Sequence, residues 1–298
     1  MTARHYQWPD DYVPLDGGRF RVRPDCVSAF DTLGWRTFDD VMSATNLDVV
    51  RRLDARDNCV VELPVGTGMI VGYVKRHRVR SLRRRYLESG RDRAAESPGL
   101  AEANAAGWCQ AAGVPALSIV AAGERLLGKR RSDSFFISQE LAGCVPANEH
   151  WFPFEQRAHP PSVFASDSKT RMAAIRSVAR TTRRFHEANL FHADLYLGHF
   201  FVPSDATPTA YLVDLQRVQR LTGVARTRAL TKDLCQLHGS FNHYRLSRGE
   251  RDEFLAGYVG NPDGTVSLSA RIHMQAAAAR WKLRRLRRTI QKRGKRAA

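Results

Sequence analysis

The pattern of apolar and polar residues predicts short β-strands in the first half of the chain. Apolar residues cluster in Val49–Leu53, Cys59–Leu63 and Met69–Arg76, with turn-forming residues between these segments. Val65–Gly68 (VGTG) lies too close to the third segment to leave room for another strand, so it fits a hairpin turn. Ser134–Leu141, with its Phe-Phe-Ile centre, predicts a further, central strand.

Two helices are predicted from different signatures. Gly99–Val114 is rich in alanine, with Ser97 or Pro98 to start the helix and Gly113 to end it. The second helix, from Thr170 to Asn189, is predicted by apolar positions spaced three and four residues apart. These positions are Ile175, Val178, Thr182 and Phe185.

Two aspartates follow the second helix. Phe191–Val202 (FHADLYLGHFFV) and Leu212–Val218 (LVDLQRV) place Asp194 and Asp214 twenty residues apart, each beside apolar runs that predict short buried strands. Phosphoryl transfer from ATP needs such carboxylates, because one accepts the proton of the attacking hydroxyl and another holds magnesium. From these residues alone, two strand-end aspartates that cap turns are also compatible.

The order of these parts, a strand with Lys75, a helix with Glu102, an apolar strand, a long helix, H-x-D, a strand and Asp, is that of a protein-kinase-like fold. The chain resembles the lipopolysaccharide kinase family, bacterial enzymes that phosphorylate heptose or Kdo sugars. The matching segments are VKRH around Lys75, the Glu102 helix, RFHEANLFHADLYLGHFFV from Arg184 and LVDLQRVQ from Leu212. The resemblance covers about Leu47 to Leu237.

This resemblance implies an α+β, two-lobed protein-kinase-like fold with a small antiparallel β-rich N-lobe and a mainly helical C-lobe. We expect the N-lobe in residues 1–142, including an N-terminal extension in 1–45, and the C-lobe in 143–298. The implied cofactors are ATP and Mg²⁺.

The resemblance also assigns nucleotide-binding roles. Lys75 would neutralise the α- and β-phosphates, and Glu102 would pair with it. Backbone groups near Gln139–Gly143 would carry adenine, with Glu140 and Leu141 as the central positions. The residues alone are also compatible with Lys75 as one cation of a basic run and Glu102 on a solvated helix face.

The resemblance implies catalytic, metal-binding and structural roles for further residues. Asp194 would accept or orient the proton of the acceptor hydroxyl, Asp214 would hold Mg²⁺, and Asp233 would tie down the catalytic loop from a later helix. His199 stands where an ordinary kinase has a magnesium-binding Asn, although imidazole is a poor ligand for Mg²⁺. It therefore reaches the metal less favourably, contacts a phosphate or the loop backbone, or simply packs under a strand.

The loop that covers the phosphates is a second departure from the kinase pattern. Between the first two predicted strands, this loop would be Asp54–Asn58 (DARDN), and it has no glycine. Backbone approach to the phosphates is less free without glycine. Weaker nucleotide binding, a different clasp or a degenerate kinase would each be compatible.

Composition adds bounds on size and compartment. A chain of 298 residues with 43% hydrophobic content fits one two-lobed domain. It has no apolar signal-peptide core near its start and no apolar stretch of about 18 residues, so we expect a soluble cytoplasmic protein. The cysteines are odd in number and lack metal-ligand spacing, which favours free thiols in a reducing compartment. They are Cys26, Cys59, Cys109, Cys144 and Cys235.

The net charge of +17 is concentrated at the end of the chain. Arg271–Ala298 holds eleven Lys or Arg and no acidic residue, and a seam of apolar residues runs from Ile272 to Ile290 with Trp281 beside it. This pattern predicts a basic amphipathic helix, either for an anionic membrane surface or as the last helix of the C-lobe. A second basic cluster, Arg76–Tyr86, either meets anionic sugar phosphates or forms a solvated loop.

The leading hypothesis is an ATP-dependent kinase for a sugar hydroxyl, heptose or Kdo, of a lipopolysaccharide-core-like glycolipid. Its expected partners are ATP, a glycolipid or sugar acceptor, and the anionic inner face of the cytoplasmic membrane. The alternatives are a pseudokinase or scaffold with a kinase fold, and a kinase for another small-molecule or protein acceptor. A nucleic-acid role rests on the pI of 10.3 alone, without a base-stacking motif, and no nucleic-acid partner is expected.

Overall fold

The computed structural model describes residues 11–53, 55–79, 97–127, 131–151, 167–203 and 209–260, with 275–276, 279–280 and 283. The chain divides into two compact units. The first takes its described residues from Met1–Ala111, Ala116–Ala142 and Asp214–Val218; the second takes them from Ala112–Pro115, Gly143–Val213 and Gln219–Ala298. An antiparallel sheet dominates the first unit and helices dominate the second, which confirms the α+β fold class.

The first unit is built on a seven-stranded antiparallel sheet with the order β1-β2-β6-β7-β5-β4-β3. Its strands are β1 Val13–Leu15, β2 Phe20–Val22, β3 Asp48–Leu53, β4 Arg56–Val65, β5 Gly68–Val79, β6 Ile119–Leu127 and β7 Arg131–Gln139. Alternation along β4 buries Cys59, Val61 and Leu63 in the core. The predicted hairpin is confirmed, because Gly66, with a φ of 58°, turns the chain between β4 and β5.

The N-terminal segment belongs to the same core. It adds β1 and β2 to the sheet and contributes two short helices, α1 (Val27–Thr32) and α2 (Phe38–Ser43). Phe30 and Phe38 are buried, and each packs its ring against another aromatic side chain of the unit. Neither strand was predicted from the sequence.

The expected covering loop Asp54–Asn58 is wrong in its extent, because β4 already begins at Arg56. Asp57 is a buried strand residue, and Arg76 on β5 donates to its carboxylate from Nε at 2.7 Å. Burial opposes ionisation, but the hydrogen bonds from Arg76 and Arg78 hold the pKa of Asp57 below its usual value. Asp54 lies outside the described residues.

The same ion pair corrects the expected solvated loop at the start of the basic cluster Arg76–Tyr86. Arg76 is only 4% exposed, and its guanidinium also donates to the Ala44 carbonyl at 2.7 Å, just after α2. Residues 76–79 are therefore part of the sheet, with Arg76 fastening α2 to it. Residues 80–86 lie outside the described part of the chain.

One helix, α3 (Pro98–Ala111), packs on the sheet of the first unit. Gly99 makes this packing possible, because a Cβ there would lie 2.7 Å from the Phe135 carbonyl oxygen on β7. After the helix, Gly113 adopts a φ of 63°, which favours glycine and ends the helix as predicted.

The second unit contains the long helices α4 (Ser168–Glu187), α5 (Gly223–His243) and α6 (Arg248–Val259). The helix predicted over 170–189 is α4, and its four predicted apolar-face residues are all buried. Short strands surround the loop between α4 and α5. They form the sheets β11-β10-β8 and β12-β9, with β8 Cys144–Pro146, β9 Leu190–Phe191, β10 Phe200–Pro203, β11 Tyr211–Leu212 and β12 Gln219–Arg220.

Three sequence expectations concern membranes, thiols and the basic tail. Among the described residues, no helix combines the length and apolarity needed to cross a bilayer. All five cysteines are free thiols, and all but Cys144 are buried. The predicted amphipathic helix in Arg271–Ala298 lies outside the described residues except at five scattered positions.

Candidate active site

In the first unit, the structure brings Lys75, Glu102 and Asp214 together. Lys75 lies in the middle of β5, between Asn58 on β4 and Phe136 on β7. Its Nζ lies 2.6 Å from Glu102 Oε1 on α3 and 3.7 Å from Asp214 Oδ1. Glu102 is fully buried, so its contact with Lys75 is largely shielded from water.

Of the two basic side chains on this face of β5, the surroundings keep Lys75 charged beside Glu102 and keep His77 neutral. Burial raises the pKa of Glu102, and the Lys75 ammonium opposes that shift. His77 lies two residues further along β5, on the same face as Lys75. Burial, together with the positive charges of Arg56 and Lys75, lowers the pKa of His77 to about 3. His77 is therefore neutral at physiological pH, and Lys75 is the cation next to the carboxylates.

Asp214 is held in an uncommon backbone conformation. It lies two residues after the end of β11 and precedes a 3-10 turn over Leu215–Arg217, with a φ of 57° and a ψ of 53°. Left-handed geometry is strained for a residue with a side chain and clusters at functional sites. The Asp214 carboxylate is 44% exposed, so a ligand in solution can reach it.

The predicted hinge follows β7. The Gln139 amide donates to the Ser118 carbonyl at 2.9 Å, and the Glu140 amide donates to the Val71 carbonyl at 2.8 Å. These two N–H groups are therefore used by the fold itself.

In the second unit, Asp233 on α5 anchors the segment that carries Asp194. Its two carboxylate oxygens accept hydrogen bonds from the His192 amide at 2.7 Å and from the Ala193 amide at 2.9 Å. Ala193 has a φ of 62°, again a left-handed conformation for a residue with a side chain. The buried carboxylate thus holds the chain in a strained turn immediately before Asp194.

His199 contacts the backbone of this segment. Its Nδ1 lies 2.8 Å from the Asp194 carbonyl oxygen, and because a carbonyl only accepts, Nδ1–H is the donor. The ring stacks on His192 with centroids 5.2 Å apart. Of the alternatives left open by the sequence, the contact with the loop backbone is the one observed.

Sequence reasoning missed two residues near Asp194, Gln236 and Tyr196. Gln236 donates from Nε2 to Asp194 Oδ1 at 3.2 Å and lies 3.4 Å from the Tyr196 hydroxyl. Gln236 follows Asp233 by three residues on α5, so helical spacing places both on the side of the Asp194 segment. That spacing was the available signal once Asp233 had been assigned to the loop.

Metal binding by protein side chains alone is not indicated. Across the part of the chain that the structure describes, no group of three or more His, Cys, Asp or Glu side chains is placed to hold an ion. Asp214 nevertheless offers an exposed carboxylate, the hard oxygen ligand that Mg²⁺ prefers.

Comparison with known proteins finds relatives among lipopolysaccharide kinases. The model of the lipopolysaccharide kinase (Kdo/WaaP) family matches residues 43–258. The chain is 30% identical to lipopolysaccharide core heptose(I) kinase WaaP of Pseudomonas aeruginosa over 51% of this chain and 55% of that protein. It is 27% identical to the WaaP kinase of Escherichia coli over 50% of this chain and 56% of that protein. The chain thus spans a little more than half the length of these curated relatives.

The fold agrees with a solved structure of the same kind. The structure described as WaaP in complex with acyl carrier protein superposes with a TM-score of 0.60 at 22% identity, covering 89% of this chain and 97% of that chain. The protein-kinase-like fold predicted from the sequence is therefore confirmed. Because the family model covers most of the chain, residues 43–258, the chain belongs to the lipopolysaccharide kinase (Kdo/WaaP) family.

Proposed function

We propose that this protein transfers the γ-phosphoryl group of ATP to a sugar hydroxyl, of heptose or Kdo, in a lipopolysaccharide-core-like glycolipid. The observation that carries this proposal is the buried Lys75–Glu102 ion pair at 2.6 Å with Asp214 beside it at 3.7 Å. A cation fixed by a buried carboxylate suits charge stabilisation of phosphates in a site that excludes water. Degenerate kinases usually lack one of these groups.

Nucleotide binding divides among these groups by their chemistry. Lys75 binds the α- and β-phosphates, and Glu102 fixes its ammonium. The Glu140 carbonyl and the Leu141 backbone bind adenine, because the Glu140 amide is already bonded to Val71. Asp214 would hold Mg²⁺, with His199 as a second proposed ligand, and the ion would supply charge neutralisation at the phosphates.

Asp194 acts on the acceptor. The acceptor oxygen attacks the γ-phosphorus, the bond from that phosphorus to the ADP oxygen breaks, and the acceptor proton passes to the Asp194 carboxylate. The transition state is loosely bonded, so orientation of the hydroxyl counts for more than basicity of the carboxylate. Asp233 supports this step by fixing the two amides that precede Asp194.

The sugar acceptor is proposed from the family, and the membrane location of the reaction from the charge of the C-terminal segment. The relatives named above are lipopolysaccharide core heptose(I) kinases, which favours a sugar acceptor over a protein one. The basic tail Arg271–Ala298 suits a peripheral position on an anionic membrane that holds a glycolipid acceptor. We place the reaction on the cytoplasmic side, where ATP is available.

The direct test is phosphoryl transfer by purified protein from ATP to a soluble lipopolysaccharide-core oligosaccharide, compared with Asp194→Asn. The substitution removes the proton acceptor but keeps the side-chain shape, so transfer should fall by at least ~100-fold while ATP affinity stays within error. Asp252→Asn on α6, a half-exposed aspartate beside Arg248, is the matched control and should transfer at the wild-type rate.

Two outcomes would oppose the proposal. Transfer by Asp194→Asn near the wild-type rate would remove Asp194 from the mechanism. ATP binding without transfer to any core sugar by the wild-type protein would favour the pseudokinase alternative.

A further inference from the structure

Two side chains near Asp194 have no role in the proposed function: Gln236 on α5, and Tyr196, two residues after Asp194. Gln236 donates to Asp194 Oδ1 at 3.2 Å and lies 3.4 Å from the Tyr196 hydroxyl, so one amide group touches both residues. The contact is framed on α5 by Asp233 and by Ser240, whose Oγ accepts from the Leu197 amide at 3.1 Å. The backbone on both sides of Asp194 and Tyr196 is therefore fixed to the same helix.

The orientation of the Gln236 amide is determined by chemistry. An ionised carboxylate only accepts hydrogen bonds, so the NH₂ group of Gln236 must face Asp194. The other end of the amide, Oε1, is shielded from solvent and has no hydrogen-bond partner among the described residues. A buried acceptor without a partner lowers stability, so the Gln236 side chain is poorly explained by stability alone.

A neutral donor has a specific advantage next to a proton acceptor. A lysine or arginine at this position would also orient the Asp194 carboxylate, but its charge would make the carboxylate a poorer proton acceptor. An amide orients the carboxylate without placing a charge beside it. Rate depends steeply on such orientation, because a misplacement of about 1 Å can lower it ~100-fold.

Tyr196 is the second unused side chain. It lies two residues after Asp194 and is 38% exposed, one of few large apolar side chains at the surface of the described residues. Its ring stands edge-on to His199 with centroids 5.8 Å apart, while its hydroxyl contacts Gln236. Held at both ends, the ring presents a rigid apolar surface beside the proton acceptor. The apolar C–H face of a sugar ring packs well against such a surface.

We propose that Gln236 and Tyr196 form an acceptor-positioning pair. Gln236 is a positioning residue that sets the orientation of the Asp194 carboxylate, and Tyr196 is a binding residue on which the acceptor sugar ring lies. This inference rests on the proposed function, since it concerns the sugar acceptor of the same reaction. It predicts that Gln236 affects kcat and that Tyr196 affects the KM for the acceptor.

The experiment separates the two roles through kcat and KM with ATP and a soluble core oligosaccharide. Gln236→Met keeps the side-chain length and removes the donor, so kcat should fall ~100-fold with the acceptor KM nearly unchanged. Tyr196→Leu removes the aromatic surface, so the acceptor KM should rise about tenfold with kcat nearly unchanged. Tyr196→Phe keeps the ring and should keep the wild-type KM.

A pH profile distinguishes positioning from a merely structural role. Gln236→Glu places a second carboxylate beside Asp194, and two neighbouring carboxylates resist joint ionisation. The acidic limb of its pH–rate profile should move to higher pH. Tyr244→Leu is the matched control and should leave kcat, KM and the profile unchanged. Tyr244 is half-buried just after the end of α5, and its ring stands edge-on to that of His243.

Several results would overturn the proposal while leaving the proposed function intact. These are a wild-type kcat in Gln236→Met, a wild-type acceptor KM in Tyr196→Leu, or losses in both that only follow a lower melting temperature. If the wild-type protein transfers no phosphate, the proposed function fails. Oligosaccharide binding, measured by calorimetry without ATP, then tests whether Tyr196 binds the acceptor sugar. Weaker binding by Tyr196→Leu supports the sugar surface, and no binding by the wild type refutes it.

Discussion

At the scale of single residues, the ion pair of Lys75 with Glu102 fixes the position of the ammonium group and adds little to the stability of the fold. A buried ion pair contributes little net stability, because desolvation of both charges offsets their attraction. The raised pKa of Glu102 reflects that desolvation, and Lys75 compensates for only part of it. The pair is better explained by the need to hold one ammonium group at a fixed place on β5.

His77 makes folding sensitive to acid. Its pKa is lowered from 6.5 to about 3 in the folded protein, so below pH 6.5 the unfolded chain binds a proton that the folded chain refuses. Stability is therefore lost as the pH falls from 6.5 toward 3, by up to about 1.4 kcal/mol per pH unit. His77→Gln removes this term, so its melting temperature should fall less between pH 7 and pH 5 than that of the wild type.

The control for this prediction is His243→Gln, at an exposed histidine near the end of α5. It should lose melting temperature between pH 7 and pH 5 as the wild type does. Equal acid sensitivity of His77→Gln and the wild type would show that His77 titrates near its ordinary pKa in the folded state.

At the scale of elements, α5 organises the segment around Asp194. Asp233, Gln236 and Ser240 follow one another at helical spacing, and each bonds a different group of that segment. A rigid helix that holds a loop by three side chains gives more precise positioning than the loop has by itself. The strained Ala193 conformation persists because the Asp233 carboxylate accepts from both the His192 and the Ala193 amides.

Asp233→Asn tests this organisation. An asparagine side chain has one carbonyl oxygen in place of two carboxylate oxygens, so it can accept well from only one of the His192 and Ala193 amides. A lost hydrogen bond to a charged group corresponds to about 1.5–3 kcal/mol. We expect a lower melting temperature and transfer reduced at least ~10-fold, with Asp252→Asn unchanged as the control. Unchanged transfer in a stable Asp233→Asn protein would show that the loop needs no such anchor.

The elements also show what the sequence can predict. The long helix α4 and strands β4, β5 and β7 have strong periodic patterns, and they were found to within a few residues. The three-residue strands β1 and β2 have no detectable period: β1 pairs with β2, and β2 pairs with β6, about a hundred residues away. Asp57 was assigned to a loop because its partner Arg76 lies on another strand, and local sequence does not show that contact.

The site was predictable to a similar degree. Lys75, Glu102, Asp194 and Asp214 occupy positions marked by a family pattern, and the structure shows what each of them contacts. Gln236 belongs to no such pattern. Its role depends on where α5 places an otherwise ordinary glutamine, and that placement is a property of the folded unit.

At the scale of the whole molecule, charge is the dominant asymmetry. Of the net charge of +17, the last 28 residues carry +11 and the first 270 carry +6. Ion pairs such as Arg76–Asp57, Arg125–Asp39 and Arg171–Glu250 neutralise cations within the described part of the chain. The tail itself contains no acidic residue, and we propose that a partner outside the chain neutralises its excess charge.

Truncation after Ala279 tests the tail, because it removes ten of its eleven cations. If Arg271–Ala298 binds an anionic membrane surface, the full chain should bind anionic vesicles in a co-sedimentation assay, and 1 M salt should weaken binding because the Debye length falls to about 3 Å. The truncated protein should bind weakly and still phosphorylate a soluble core oligosaccharide at the wild-type rate. Neutral vesicles serve as the control for charge. If truncation instead lowers the melting temperature and the activity on the soluble acceptor, the segment is a structural helix of the second unit, because its apolar seam is then buried against protein.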